Sequence, residues 1–174
     1  MLRRLHRLAL RIFEQLPRSL RRRIVRVLAP TFSVGAICCI ERDDGAILLV
    51  RQSYRRRWGL PGGLLQKGES AHAAVVREVA EEVGLDLVLS GEPAVVVDGQ
   101  ARRVDVVFRG RPASRADADA VAPRSPEIDE VRWFHADELP ELQAEAAGAL
   151  VTLARSASHP QAVPLPSELR VLRT

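Results

Sequence analysis

The chain has 174 residues, which suits one domain at a soft prior of roughly 150 residues per domain, and its 47% apolar and 28% charged residues are a globular composition, not a disordered or fibrous one. The longest uninterrupted apolar stretch, Val34 to Ile40, falls far short of the ~20 residues that span a bilayer, which excludes a transmembrane helix. The net charge of +4 is uneven: nine arginines against Glu14 give residues 1–28 a charge of +8, and 17 bases against 21 acids leave −4 for the rest, so the basic balance belongs to a leader and does not mark the body as a nucleic-acid binder.

Leu2, Leu5, Ala9, Ile12 and Leu16 recur at helical spacing, with Arg3, Arg7 and Arg11 on another face. After Pro17 the pattern resumes with Leu20, Ile24, Val27 and Leu28 behind Arg21, Arg22, Arg23 and Arg26. Two short basic amphipathic helices are expected, and neither is long enough to be stable alone in water. Their apolar faces require a support: the domain, a second copy of the chain, an anionic membrane surface or, least in keeping with a leucine stripe, nucleic acid. No secretory signal is legible here, and the expected location is the cytoplasm, with peripheral membrane contact or a homodimer through residues 1–28 open.

From Thr31 the period changes. Phe32 to Ile40 and Ala46 to Val50 read as strands joined by a hairpin-type turn, Arg42-Asp43-Asp44-Gly45. Cys38 and Cys39 are neighbours, so on a strand they point to opposite faces and are expected to be small buried hydrophobes in a reducing compartment. Ser70 to Val83 reads as a helix with Gly84 as its cap. Strands are expected at Leu85 to Leu89, Ala94 to Val97, Arg102 to Arg109 and Val131 to Phe134, and a last helix at Leu142 to Ala154. Residues 111–126 show no periodicity and read as a long functional loop. Strands mixed with helices, without strict alternation, predict an α/β sandwich around a mixed sheet. The boundaries expected are a basic extension over 1–30, the main folded domain over 31–156 and a tail over 157–174.

The chemistry gathers between Gly63 and Leu85. Glu78, Glu81 and Glu82 fall in the second half of the 70–83 helix, where spacings of three and four put them on one face. Like charges there cost a few tenths of a kcal/mol, and anions near a helix C-terminus oppose its dipole. A solvated acidic face is the bland reading; a divalent cation, bound by hard carboxylate oxygens and sharing them with substrate phosphates, resolves the cost. Val75, Val79 and Val83 form a separate stripe for the core.

Gly63, Glu69 and the run Arg77-Glu78-Val79-Ala80-Glu81-Glu82-Val83-Gly84-Leu85 match every defined position of the Nudix box, G-x5-E-x7-R-E-U-x-E-E-x-G-U with U aliphatic. The approach Trp58-Gly59-Leu60-Pro61-Gly62 is also similar, and the chain resembles the Nudix hydrolase family over about residues 31–156. The resemblance implies an α/β/α sandwich with a mixed β-sheet, the box forming a loop–helix–loop. It implies a hydrolase that uses Mg²⁺, with Mn²⁺ as the other option, to cleave a nucleoside diphosphate linked to another moiety. Carried over, Glu78 and Glu82 become the principal metal ligands, Glu81 a further ligand or the group that activates water, and the Gly63 carbonyl completes the set. Arg77 orients Glu81, and Glu69 is the supporting glutamate of the loop. The family often takes a base from a later segment. Glu127 and Glu130, ahead of the family-like Asp137-Glu138-Leu139-Pro140, are the candidates, with Glu127 favoured by the count.

Arg51, Arg57 and Trp58 are the candidate substrate contacts, Arg51 by binding phosphate and Trp58, like Tyr54, by stacking on a base; Arg55, Arg56 and Arg57 are candidates for guiding an anion. A surface salt bridge for Arg51 and a wall position for Trp58 are the competing readings. Subfamily markers for ADP-ribose, dinucleoside polyphosphates and coenzyme A are absent, which leaves a (d)NTP or a nucleotide-sugar-like substrate. No stable nucleic-acid partner is expected. A Nudix-fold sensor or RNA-processing accessory module without turnover is the alternative.

Overall fold

The computed structural model describes residues 13–29 and 31–158. The expectations for the first leader helix up to residue 12 and for the tail from residue 159 lie outside the described residues. Helix α1, Arg18–Leu28, follows Pro17, whose carbonyl accepts the Leu20 and Arg21 N–H groups at 3.0 Å each.

Strand β1, Ser33–Ile40, is the centre of the molecule. It pairs in parallel with β5, Arg103–Pro112, and antiparallel with the short β3, Gly62–Leu64; β4, Leu87–Asp98, pairs antiparallel with β5. The order β3-β1-β5-β4 makes a mixed four-stranded sheet, and β2, Ile47–Gln52, with β6, Ile128–Phe134, makes a second, antiparallel pair. Helix α2, Ala71–Val83, and helix α4, Ala144–Ser158, serve opposite faces, and α3, Arg115–Asp119, is a single short turn.

The continuous apolar run in β1 follows from this position, because a strand covered on both faces does not alternate. Ala36, Cys38 and Ile40 face Ala74, Val75, Val79 and Val83 of α2. Ile37 and Cys39 face Ala146, Ala149 and Leu153 of α4. The two cysteines thus enter different cores and are both free. The architecture is the expected α/β/α sandwich with a mixed sheet.

Five expectations for the elements change. The turn after Glu41 forms, with the Gly45 N–H on the Arg42 carbonyl at 2.8 Å, but a lone Glu41–Ile47 bridge follows it before β1 and β2 part into separate sheets. Leu85 to Leu89 and Ala94 to Val97 are not two strands: β4 runs through, bulging between Ser90 and Ala94 around Gly91 and Pro93. Residues 111–126 are not all loop, because β5 extends to Pro112 and α3 caps itself with Ser114, whose hydroxyl accepts the Asp117 N–H. Helix α4 also starts and ends later than expected, as β6 starts earlier.

Candidate active site

Helix α2 is placed by its ends. The Ser70 hydroxyl accepts the Ala73 N–H, and Gly84 closes the helix in the left-handed conformation at φ 68°. The Val75, Val79 and Val83 stripe is fully buried, which turns the glutamates toward β3. Two glycines receive them there. Gly62 has φ 136°, a conformation side chains rarely adopt, and its N–H donates to Glu82 Oε2 at 2.9 Å. Gly63 lies against the Glu78 carboxylate so closely that a Cβ would stand 2.5 Å from Glu78 Cδ.

Glu82 is 6% exposed. Burial, partly offset by the Gly62 N–H, and the nearby carboxylates of Glu78, Glu127 and Glu81 push its carboxyl up to about 8. Those four acids, with Gly62 and Gly63, line a cleft of about 470 Å³. Glu127 arrives from the turn before β6: its N–H donates to Ser125 Oγ, and its carbonyl accepts the Ser53 N–H at 2.8 Å.

Arg77 stands beside the cleft and not on it. Its Nε and Nη2 donate to the two oxygens of Glu69 at 2.9 and 3.1 Å. Its Nη1 donates to Glu78 at 2.8 Å and to Glu81 at 3.1 Å. Glu69 also accepts the Gln66 N–H, and Arg77 followed by that N–H holds its carboxyl below the ordinary range. One guanidinium therefore ties the loop acid to two helix acids.

The donor set fits a divalent cation. The cleft's acidic part carries four carboxylates, and the buried Oε1 of Gln52, another lining residue, has no hydrogen-bond partner among the described residues. Acceptors there exceed donors, and a hard cation is what such a set lacks. Among the described residues no three acidic or histidine side chains already converge at ligating distance. Glu81 is 60% exposed and paired with Arg77.

The other sequence candidates fall elsewhere. Arg51 pairs with Glu130 at 2.6 Å across the β2–β6 ladder, outside the cleft lining, so those two candidates occupy each other. Arg57 is exposed and meets Glu141 at 3.3 Å. Trp58 packs edge-on against Phe134 with ring centroids 4.9 Å apart and contributes to the α4-side core. None of Arg51, Arg57 and Trp58 lines the cleft; Tyr54, Arg55, Arg103, Gln143 and Glu145 do. Arg103 was legible in principle: it and Asp105 are polar residues in phase with the core residue Val107. Within Arg55-Arg56-Arg57 nothing local singles out Arg55, because its partners Gln143 and Glu145 lie some ninety residues on.

The NUDIX domain family profile matches residues 31–154. The chain belongs to the NUDIX domain family. The Nudix chain is 33% identical over 116 residues to a MutT-like protein of Streptomyces ambofaciens, covering 67% of this chain and 72% of that one. It is 33% identical over 141 residues to an NAD-capped RNA hydrolase NudC of Stutzerimonas stutzeri, covering 77% of this chain and about half, 49%, of the relative. Among solved structures, an ADP-ribose pyrophosphatase from Streptococcus suis superposes with a TM-score of 0.61 at 27% identity, covering 75% and 96% of the two chains. As a Nudix hydrolase the chain is a pyrophosphohydrolase that works on nucleotide substrates with a divalent cation. Among the described residues no helix is long and apolar enough to cross a membrane.

Proposed function

We propose that this Nudix hydrolase cleaves the pyrophosphate of a nucleoside diphosphate linked to another moiety, a (d)NTP or a nucleotide-sugar-like compound, with Mg²⁺ as the working cation and Mn²⁺ as a substitute. The observation that carries this reading is the convergence of Glu78, Glu81, Glu82 and Glu127, from two distant segments, on one cleft.

Glu78 and Glu82 are the principal ligands in this reading, with the Gly63 carbonyl completing the set and Glu81 a further ligand. Bound there, the cation screens the diphosphate charge and acidifies water. The Gly62 N–H fixes one oxygen of Glu82 and leaves the other for the cleft. Glu127 is the proton acceptor supplied from outside the box, within the group of acids that Glu82 senses. Arg77 acts through Glu81 and Glu78 as a positioning residue and touches no substrate.

The test is a hydrolysis screen over dNTPs, oxidised dNTPs, nucleotide sugars and ADP-ribose with Mg²⁺ and with Mn²⁺, comparing the native chain with Glu127→Gln. The proposal expects turnover of at least one compound and a loss of about 100-fold or more in kcat for the variant. Nucleotide binding without turnover under either cation would overturn it in favour of a sensor.

A further inference from the structure

The cleft contains a second, different group of residues. Glu82 feels the charges of Glu78, Glu127 and Glu81, whereas Arg103 feels those of Asp105, Glu145 and Tyr54. The second group is balanced. Arg55 Nη1 donates to Glu145 Oε1 at 3.1 Å and to Gln143 Oε1 at 3.2 Å. Arg103 Nε donates to both oxygens of Asp105, at 2.9 and 2.8 Å. Asp105 is 5% exposed and, with Glu82, is one of two buried acids among the described residues. Gly35 stands opposite it in the β1–β5 register, and a Cβ on Gly35 would collide with Asp105 Oδ1. A buried carboxylate under an arginine is a costly way to pack a sheet. Here it engages Nε and leaves both Nη groups of a cleft-lining guanidinium without a hydrogen bond among the described residues.

That arrangement offers donors from Arg103 and a carboxylate acceptor from Glu145, with Ile37, Leu60 and the 65%-exposed Tyr54 ring as apolar surface. A third phosphate gains little from it, because Glu145 repels what Arg55 and Arg103 attract. A nucleobase suits it: flat apolar faces, and an edge that carries acceptors beside donors. Resting on the hydrolase reading above, we infer that Arg103, positioned by Asp105, and Glu145, positioned by Arg55, form the subsite that reads the edge of the substrate's nucleobase.

The experiment compares kcat and KM of the full chain on dATP, dGTP, dCTP, dTTP and base-free tripolyphosphate for native, Arg103→Gln, Glu145→Gln and Asp105→Asn proteins, with thermal melts to verify folding. The expected result is a native preference among bases that shrinks about 10-fold in the variants through KM, with tripolyphosphate turnover unchanged. A native enzyme indifferent to base, an unchanged preference in folded variants, or an equal loss on tripolyphosphate would overturn the subsite. If the native chain turns over none of these, the hydrolase reading is what fails for them. Calorimetric binding of the four deoxynucleoside monophosphates then decides the subsite alone: base-dependent affinity lost in Arg103→Gln supports it, and base-independent affinity overturns it.

Helix α1 supports a separate inference. Leu20, Ile24 and Val27 follow one side of it with Arg23 beside them, and Arg18 and Arg22 lie on the other. Leu20 is 42% and Val27 82% exposed, so the domain does not cover this row. No acid occurs between Glu14 and Glu41, so two copies pairing helix to helix here would bring guanidiniums together without a counter-charge from either helix. Lipid phosphates supply that charge, and a basic amphipathic helix is the form that lies in the headgroup boundary. We propose that α1 docks the enzyme on an anionic membrane surface. Co-sedimentation of the full chain with phosphatidylcholine vesicles, with and without phosphatidylglycerol, tests it. Binding to the anionic vesicles alone, lost on raising salt and in Leu20→Asp/Val27→Asp, is expected. No binding to anionic vesicles, or a solution dimer abolished by the same substitutions, would overturn it.

Discussion

Arg77 spans three glutamates with one rigid fork, which a lysine ammonium cannot reproduce. Its Nε and Nη2 are committed to Glu69 and its Nη1 to Glu78 and Glu81. Arg77→Lys is therefore expected to keep the fold and to raise the Mg²⁺ concentration for half-maximal turnover roughly 10–100-fold, the usual effect of losing an outer partner of a metal ligand. An unchanged Mg²⁺ requirement would show that the carboxylates hold their places unaided. The cysteines make a prediction about pH. Burial pushes the Cys39 thiol up to about 11, with Glu41 adding to the rise and Arg109 opposing it, and burial raises Cys38 further. Well below pH 9 both thiols are protonated in the folded and the unfolded chain and stability is unaffected. Between pH 9 and 11 the unfolded chain releases protons that the folded chain keeps, so stability falls as pH rises. Cys39 alone accounts for at most about 3 kcal/mol. With Lys67 the sole lysine and Tyr54 the sole tyrosine, few other side chains titrate there. Urea unfolding at pH 8 and pH 10.5 should show the loss in the native chain and a smaller one in Cys39→Ala.

At the scale of elements, α2 docks on β3 because the Gly62 N–H holds the Glu82 carboxylate and Gly63, lacking a side chain, admits that of Glu78. Gly63→Ala places a methyl where the Glu78 carboxylate lies. We expect a stability cost of about 1–3 kcal/mol from the overpacking together with a fall in kcat; wild-type kcat in a folded Gly63→Ala protein would mean that Glu78 need not rest on Gly63. The sequence marked this element well, because Ser70 and Gly84 are local signals whose effects are local. It marked β4 badly. Gly91 and Pro93 read as a break between strands, yet the edge strand absorbs them as a bulge and re-pairs with β5 from Ala94. The Asp44-Gly45 turn was equally readable, but no local signal says that β1 and β2 separate after a single bridge, which the two-sided core decides. Arg51 carries the same lesson for the site: a strand-end arginine fits phosphate or carboxylate equally, and only the β2–β6 register hands it to Glu130.

For the whole molecule, β1 and β2 each send side chains into both cores, so damage to one face propagates. Leu49, fully buried on the α4 side while Leu48 and Val50 enter the α2 side, should cost about 2–5 kcal/mol as Leu49→Ala, read from urea midpoints. A cost under 1 kcal/mol would imply that the α4 layer is dispensable. The charge plan is equally global: acids concentrate at one part of the cleft, paired charges at another, and the exposed arginines Arg18, Arg22 and Arg23 on α1. The central claim concerns the first of these. Calorimetric titration of Mn²⁺ into the native chain, Glu82→Gln and Glu130→Gln tests it most directly, since glutamine retains an oxygen for the Gly62 N–H and Glu130 is spent on Arg51 outside the cleft. The account predicts that Glu130→Gln binds Mn²⁺ as the native chain does and that Glu82→Gln loses the site. Native affinity in Glu82→Gln would contradict it.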